Sequence, residues 1–386
     1  MGRLVHAGVA AGMAALVLTA CSGGASDGGS EAAAGGGGGT KVTDVKTASL
    51  AQPDSLTVAY CHEIPDGSKE NPLYGLTLRS YSAKNGAVVA ERNITLPRDV
   101  EPMTVCESGS FRNLGTFAFN KDISLIAGTT EAGDTERAAA YDLSTGQEVS
   151  PPDADAFADR ETNKSVAFHP ATGHLWYDEG AYSSAADGLG SRDPRAGYST
   201  EKHLTPLQAA GVVTQDAATV ATALAADGSP QAVTPSGDVA AEVTDPQGGA
   251  LTLKLSRVSP DGESSGGHKL VDLATEGLGQ RKTCAPAFWR DDTTLVCGMQ
   301  QITLASDYSK VLKNEDLVPA NDRSNMTPVP SPDGKSFAFL SSGEGGKLTL
   351  YRGDFSSLGA QPVKVADLEP PLDGSDDHLE TLVRWN

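Results

Sequence analysis

From about residue 50 onward, short apolar runs alternate with polar turn dipeptides, and within the runs apolar positions recur every second residue or continuously. The pattern predicts strands of roughly four to eight residues joined by tight turns. Its clearest unit is residues 328–342, which reads as strand, turn, strand. Pro332 presets φ at the second position of the turn, Asp333 suits the third, and Gly334 tolerates a positive φ. Beyond the turn, Phe337 and Phe339 point to one face and Ala338 and Leu340 to the other, so the strand is expected to be covered on both sides.

The same grammar recurs along the chain. A first set comprises residues 56–61, 76–81 and 87–94, the last two flanking Asn85-Gly86, a strong hairpin signal. A second comprises 115–119, 123–128, 138–143 and 147–149; a third, 165–168 and 174–177 around His169-Pro170-Ala171-Thr172-Gly173. A fourth begins near Ala232 and continues through 239–243, 251–258 and 269–273; a fifth comprises 285–289, 294–297 and 301–305. The sixth is the unit described above, followed by 347–352 and 363–368. A spacing of roughly 40–70 residues is that of propeller blades with loop insertions. Residues 378–386 look like a first strand with nothing after it, and the set from Leu56 like a blade lacking its first strand. Joined, they would close the ring and remove two exposed edges. Residues 51–386 are therefore expected to form an all-β, six-bladed β-propeller closed by pairing of its N- and C-terminal strands. Seven blades is the runner-up, because 206–227 could hide a half-blade. That stretch also sets Ala217, Val220, Ala221 and Leu224 on one helical face, so a short inserted helix is the alternative. The Gly- and Ser-rich run 180–197 is expected to be an exposed loop.

Upstream, Arg3 precedes an apolar, Ala-rich run at 4–18 that is short for a membrane span, as in an export signal. It ends in Leu18-Thr19-Ala20-Cys21, which resembles the lipobox of bacterial lipoproteins. The resemblance implies a signal peptide at residues 1–20, cut before Cys21, and a diacylglycerol on the Cys21 sulfur. An uncleaved anchor helix or a simple secretory peptide is the alternative. Residues 21–50, rich in Gly, Ser and Ala, read as a flexible tether with a reach of roughly 25–30 Å. With Cys21 set aside, four of the five cysteines remain, and an exported chain favours disulfides. Cys284 and Cys297 flank the Arg290-Asp291-Asp292 turn almost symmetrically, which suggests a cross-strand bridge. Cys61 and Cys106 then pair by elimination; buried reduced thiols are the other reading. No CxxC pair points to zinc or thioredoxin-like chemistry.

Lys plus Arg number 30 against 50 Asp plus Glu, a formal net charge of -20, which argues against nucleic acid and against basic docking on anionic lipid. Basic proteins, cations and neutral sugars remain as partners. Candidate chemistry is sparse. Residues 262–266 fit G-x-S-x-G but sit in a turn-like run, without the strand and helix that a nucleophile elbow needs. His169 and His174, with Asp178 and Glu179, lack an obvious set of three or four convergent ligands, and His169 occupies a turn position. Asp291, Asp292, Asp373, Asp376 and Asp377 match no EF-hand spacing. His62, His203, His268 and His378 pair with no evident nucleophile, and no P-loop or dinucleotide fingerprint is present. Trp176, Tyr177, Trp289 and Trp385 suit packing between blades, with the channel mouth as the other place for them.

Ser331-Pro332-Asp333-Gly334-Lys335 followed by Phe337-Ala338-Phe339 is similar to the repeat of TolB-type β-propellers; His169-Pro170 with Gly173 is a looser copy, and residues 289–292 a looser one still. That resemblance implies a binding or scaffold module using loops at one end of the ring, with no catalytic, cofactor or metal residues. Together with the lipobox, it implies a monomeric lipoprotein on the extracytoplasmic face of an actinobacterial-type cell membrane, with an envelope protein or glycan as partner. Two alternatives differ in class: a lyase- or lactonase-type enzyme acting at the channel mouth, and a sensor or accessory subunit of a membrane complex.

Overall fold

The computed structural model describes residues 42–46, 48–64, 73–96, 115–132, 135–149, 163–179, 188–197, 200–204, 216–226, 232–244, 252–258, 286–369 and 378–386. The first sheet begins with β1 (Val42–Lys46), β2 (Ser55–Ile64), β3 (Leu73–Ser82) and β4 (Val88–Thr95). A hairpin of β5 (Leu125–Ala132) and β6 (Thr135–Asp142) follows, then a sheet of β7 (Asn163–Phe168), β8 (Leu175–Glu179), β9 (Gly188–Arg192) and β10 (Lys202–Leu204). The next sheets are β11 (Ala232–Val233), β12 (Val239–Thr244) and β13 (Thr252–Arg257), then β14 (Pro286–Asp291), β15 (Thr294–Cys297), β16 (Gln300–Leu304) and β17 (Val311–Asp316). Last come β18 (Ser324–Asn325), β19 (Val329–Pro330), β20 (Ser336–Ser342), β21 (Leu348–Asp354) and β22 (Val363–Asp367). The final strand, β23 (His378–Trp385), returns to the first sheet, whose order is β1-β4-β3-β2-β23. All pairings are antiparallel, and β23 meets β2 in a register that sets Leu56 opposite Trp385 and Tyr60 opposite Glu380. The chain ends thus share one blade, as the sequence pattern implied.

The blade count differs from expectation. Among the described residues five sheets have three or more strands, so the propeller has five blades, not six or seven. The second set of sequence signals yields only the two-stranded β5–β6 ribbon, flanked by single bridges at Phe119–Ile126 and Tyr141–Glu148. Its expected first strand is instead a helical turn, Gly115–Ala118. The reason lies in Arg384 on β23. Its guanidinium donates to the carbonyl oxygens of Thr116, Phe119, Asn120 and Lys121 at 2.9–3.3 Å. A strand sends alternate carbonyls to opposite sides, whereas a coiled turn can aim several at one donor. The half-blade weighed for 206–227 is also corrected: Ala217–Ala226 is a helix. In the run expected to be a loop, Gly188–Arg192 is a strand, and Arg192 is fully buried, donating to Ala138 O at 2.8 Å across to β6. Residues 269–273 lie outside the described residues.

The cores are sandwiched between successive sheets. Ala59, Leu76, Leu78 and Ile94 of the first sheet pack on Phe119, Ile126 and Tyr141. Leu125, Ala138 and Ala140 pack on Phe168, Leu175 and Tyr177. The helix fits between β7–β8 and β11, burying Ala223 and Ala226 against Ala167, Trp176 and Leu189. Val239, Ala241 and Leu255 then meet Leu295 and Ile302. On β20 the alternation is as expected: Phe337 and Phe339 face Val296 and Leu317, while Ala338 and Leu340 face Leu56, Val58 and Leu382. First strands lie side by side, β23 against β19, β19 against β14 and β14 against β11, which makes the arrangement a propeller.

Three blades share one cross-strand device. His62 opposes Gly75, Tyr177 opposes Gly190, and Phe337 opposes Gly353. In each pair the ring lies where a glycine Cβ would be. His62 is only partly buried and its ring can move aside, but Phe337 is fully buried and touches Phe339 and Phe355 at centroid distances of 6.1 and 5.0 Å. Gly353→Ala is therefore expected to lower stability by about 2 kcal/mol, with Gly75→Ala costing under half as much. Urea unfolding checks this ordering, and equal costs would contradict it.

Candidate functional site

The β7–β8 turn holds the histidine that the sequence singled out. His169 is almost wholly buried. Its Nδ1 accepts the backbone N–H groups of Ala171 and Thr172, both at 3.2 Å. With two donors aimed at it Nδ1 carries no proton, so the neutral ring holds its proton on Nε2 and donates it to Thr219 Oγ1 at 3.1 Å. Thr219 in turn donates to Asp216 Oδ2 at 2.8 Å, and Asp216 Oδ1 accepts from the Ala218 N–H as the N-cap of the helix. Burial pulls the His169 imidazole below its ordinary value, with the charge of Asp216 acting the other way and His174 reinforcing burial. The Thr219 hydroxyl holds Asp216 below the usual carboxylate range, against a smaller upward push from burial.

This trio resembles a nucleophile–base–acid set only in composition. A base must take the hydroxyl proton, but here Nε2 already carries a proton and the hydroxyl gives its own to Asp216. The imidazole also has no lone pair left for a metal. Among the described residues no group of three or more His, Cys, Asp or Glu could hold a metal ion. Asp178 and Glu179 stand opposite Leu189 and Gly188 in the β8–β9 register. Sequence reading missed Asp216 and Thr219 as partners of His169. The available signal was an Asp three residues ahead of a Thr at the start of an Ala-rich run, a helix N-cap pattern.

The other residues singled out scatter. Trp176, Tyr177, Trp289 and Trp385 are all buried, and Trp289 Nε1 donates to Ala232 O at 3.1 Å, so they pack between blades. Cys61 and Cys297 lie buried in β2 and β15, and neither is without a partner. Cys21, Cys106 and Cys284 fall outside the described residues, as do His268, Asp373, Asp376, Asp377 and residues 262–266. Two bulges in β14–β15 set Pro286 directly opposite Cys297.

What is exposed and organised is a row of turns at one end of the blades. Asp292, in the β14–β15 turn, accepts at Oδ1 from the Ser236 N–H of the neighbouring blade (2.9 Å) and at its carbonyl from the Tyr308 hydroxyl (2.8 Å). Arg290 lies 4.0 Å from the centroid of Phe355, and Phe355 N–H donates to Lys335 O at 3.0 Å. These contacts make the turns at 234–238, 291–293, 305–310, 331–335 and 354–357 a continuous surface. Each of four turns is stapled by an aspartate that accepts from the N–H two residues on: Asp291 from Thr293, Asp307 from Ser309, Asp333 from Lys335 and Asp354 from Ser356. The same bonds keep the carboxylates charged. The Ser309 hydroxyl holds Asp307 below the usual range, the Ser331 hydroxyl does so for Asp333, and the Ser356 N–H for Asp354. At Asp291 burial pushes upward, but bonds from Thr293 and Thr294 outweigh it. The surface is rich in fixed carboxylate acceptors, with Lys335 Nζ 3.3 Å from Asp333, Lys310 near Asp307 and Arg290 near Asp354.

No family model matches the chain, and no curated protein does. Solved structures do. Oligogalacturonate lyase from Vibrio parahaemolyticus aligns over 83% of this chain and 75% of its own at 11% identity, with a TM-score of 0.37. The β-propeller domain of the Trilobed protease from Pyrococcus furiosus aligns over 86% and 99% at 11% identity and 0.32. TolB from Acinetobacter baumannii aligns over 75% and 65% at 12% identity and 0.28. The assignment of the fold rests on the sheets themselves.

Proposed function

We propose that the chain is a lipoprotein held to the extracytoplasmic face of the cell membrane through Cys21, and that its propeller binds an envelope protein or glycan without transforming it. In this reading Cys61–Cys106 and Cys284–Cys297 are disulfides suited to that compartment. The observation that carries the binding role is the row of stapled turns, with Asp291, Asp307, Asp333 and Asp354 all held ionised. Carboxylates fixed in place give a cationic or hydroxyl-rich partner a surface that needs little further ordering on contact.

The purified chain, immobilised and exposed to envelope extract, is expected to retain a partner that elutes as salt is raised. Asp307→Asn, Asp333→Asn and Asp354→Asn together keep each turn's oxygen acceptor and remove three charges. Retention by this triple variant, read by mass spectrometry, should fall about tenfold or more. Undiminished retention would remove this end of the propeller as the binding surface. Inhibition of the lipoprotein signal peptidase should leave full-length precursor in cells; unlipidated mature protein would refute the anchor.

A further inference from the structure

The ring hydrogen bonds of His169 run in one direction, from the turn through the ring to the helix cap, beside the backbone pair that His169 makes with His174 O and Gly173 N–H. The ring is thus the peg between the 169–174 turn and the Ala217–Ala226 helix, which itself fills the space between two blades. We propose that His169 is an acid-released latch: a proton taken up at Nδ1 expels the Ala171 and Thr172 N–H groups, opens the turn and frees the start of the helix from the β7–β8 hairpin. Two N–H donors at 3.2 Å cannot stay where a third N–H now points.

The groups facing the ring are few. Asp216, from the helix side, lies 3.8 Å from Nε2 and favours the charged ring. His174, across the turn, disfavours it. Trp176, at a centroid distance of 6.1 Å, brings no charge. Burial is the largest influence, and the docked ring is harder to protonate than a free one. A base depressed in this way stabilises the docked state fully above the ordinary value of 6.5 and loses that contribution as pH falls below it, because the released turn binds the proton first. If the docked ring takes up no proton, the open state gains at most about thirty-fold at pH 5.0. The latch is independent of what the turn surface binds.

Hydrogen exchange of the purified chain at pH 7.5 and 5.0, corrected for intrinsic rates, tests it, with β20–β21 peptides as internal reference. Peptides covering 169–174 and 217–226 are expected to lose about ten- to thirty-fold of their protection at pH 5.0 relative to the reference. His169→Asn keeps an oxygen acceptor for the turn and removes the titration, so its protection ratio should be the same at both values. Unchanged protection in the wild type overturns the latch, as does an acid response that survives in His169→Asn. If that variant does not fold, ring-nitrogen chemical shifts of the wild type decide the matter. A proton on Nε2 at pH 7.5 and a midpoint below the ordinary imidazole value support the latch, and a proton on Nδ1 or an ordinary midpoint overturns it.

Discussion

Arg384→Ala is expected to be the most damaging single substitution in the closing blade, lowering stability by about 3–4 kcal/mol. The guanidinium binds four carbonyls, two through Nη1 and two through Nη2, and these belong to the helical turn and the loop that lead into β5. It is partly buried, and burial pulls its value below that of a free guanidinium, with Asp122 partly offsetting this. Arginine still stays charged at any ordinary pH, so the carbonyls always face a cation. Removing it takes this donor from the part-buried carbonyls of Thr116 and Phe119, while Asn120 O keeps the Ile123 N–H and the rest of β23 stays paired with β2. Arg384→Lys should recover less than half of the loss, because one ammonium cannot span the set that the planar fork reaches. Thermal unfolding of both variants checks this. A loss under about 1 kcal/mol for the alanine variant would mean that water replaces the guanidinium and that the clasp is incidental.

The residue that closes the ring was visible in the sequence only as part of an amphipathic tail. The apolar alternation of residues 378–386 announced a strand and even its partner, because burial obeys the period of two. Nothing in the alternation shows that the polar Arg384 turns inward to collect carbonyls, so the pattern predicts a strand over residues 115–119 and one blade too many. A similar blindness hid β9. Gly188–Arg192 carries a single large apolar residue, Leu189, because Tyr177 already fills the space that a side chain at Gly190 would take, so much of the signal for burial sat on the neighbouring strand. Turn chemistry was the most legible feature. Ser331-Pro332-Asp333-Gly334 folds as read, with Gly334 at φ +66° and its N–H donating to Ser331 O at 2.9 Å. At the candidate site the legibility reverses. His169 was found and correctly read as a turn residue, but its partners Asp216 and Thr219 lie some fifty residues away on a helix. Contacts at that separation leave no local pattern. Of the acidic turn surface the sequence singles out only Asp291, Asp292 and Asp333, because each turn is local and only the ring assembles them with Asp307 and Asp354 into one face.

Gly86→Ala should cost about 3 kcal/mol or more, and Gly334→Ala about 1, although the two glycines do the same local job. Both sit in hairpin turns at positive φ, +71° and +66°. An L-residue there costs roughly 1–2 kcal/mol from its own backbone, and Gly334 has nothing within 4 Å of an added Cβ, so its cost should stop at that level. At Gly86 the added carbon would overlap the carbonyl oxygen of Val365, which belongs to β22 in the neighbouring blade. Backbone cannot swing aside as a side chain can, so the β3–β4 turn and β22 must separate, loosening the packing of Val88, Val365 and Ala366 on the core that joins the closing blade to the last one. The difference between the two variants therefore isolates the fit of the seam from the strain of the turn. Denaturant unfolding of both, with exchange measured across β22, gives that difference directly. Equal losses, with β22 protection unchanged in Gly86→Ala, would show that the two blades are not in tight contact there.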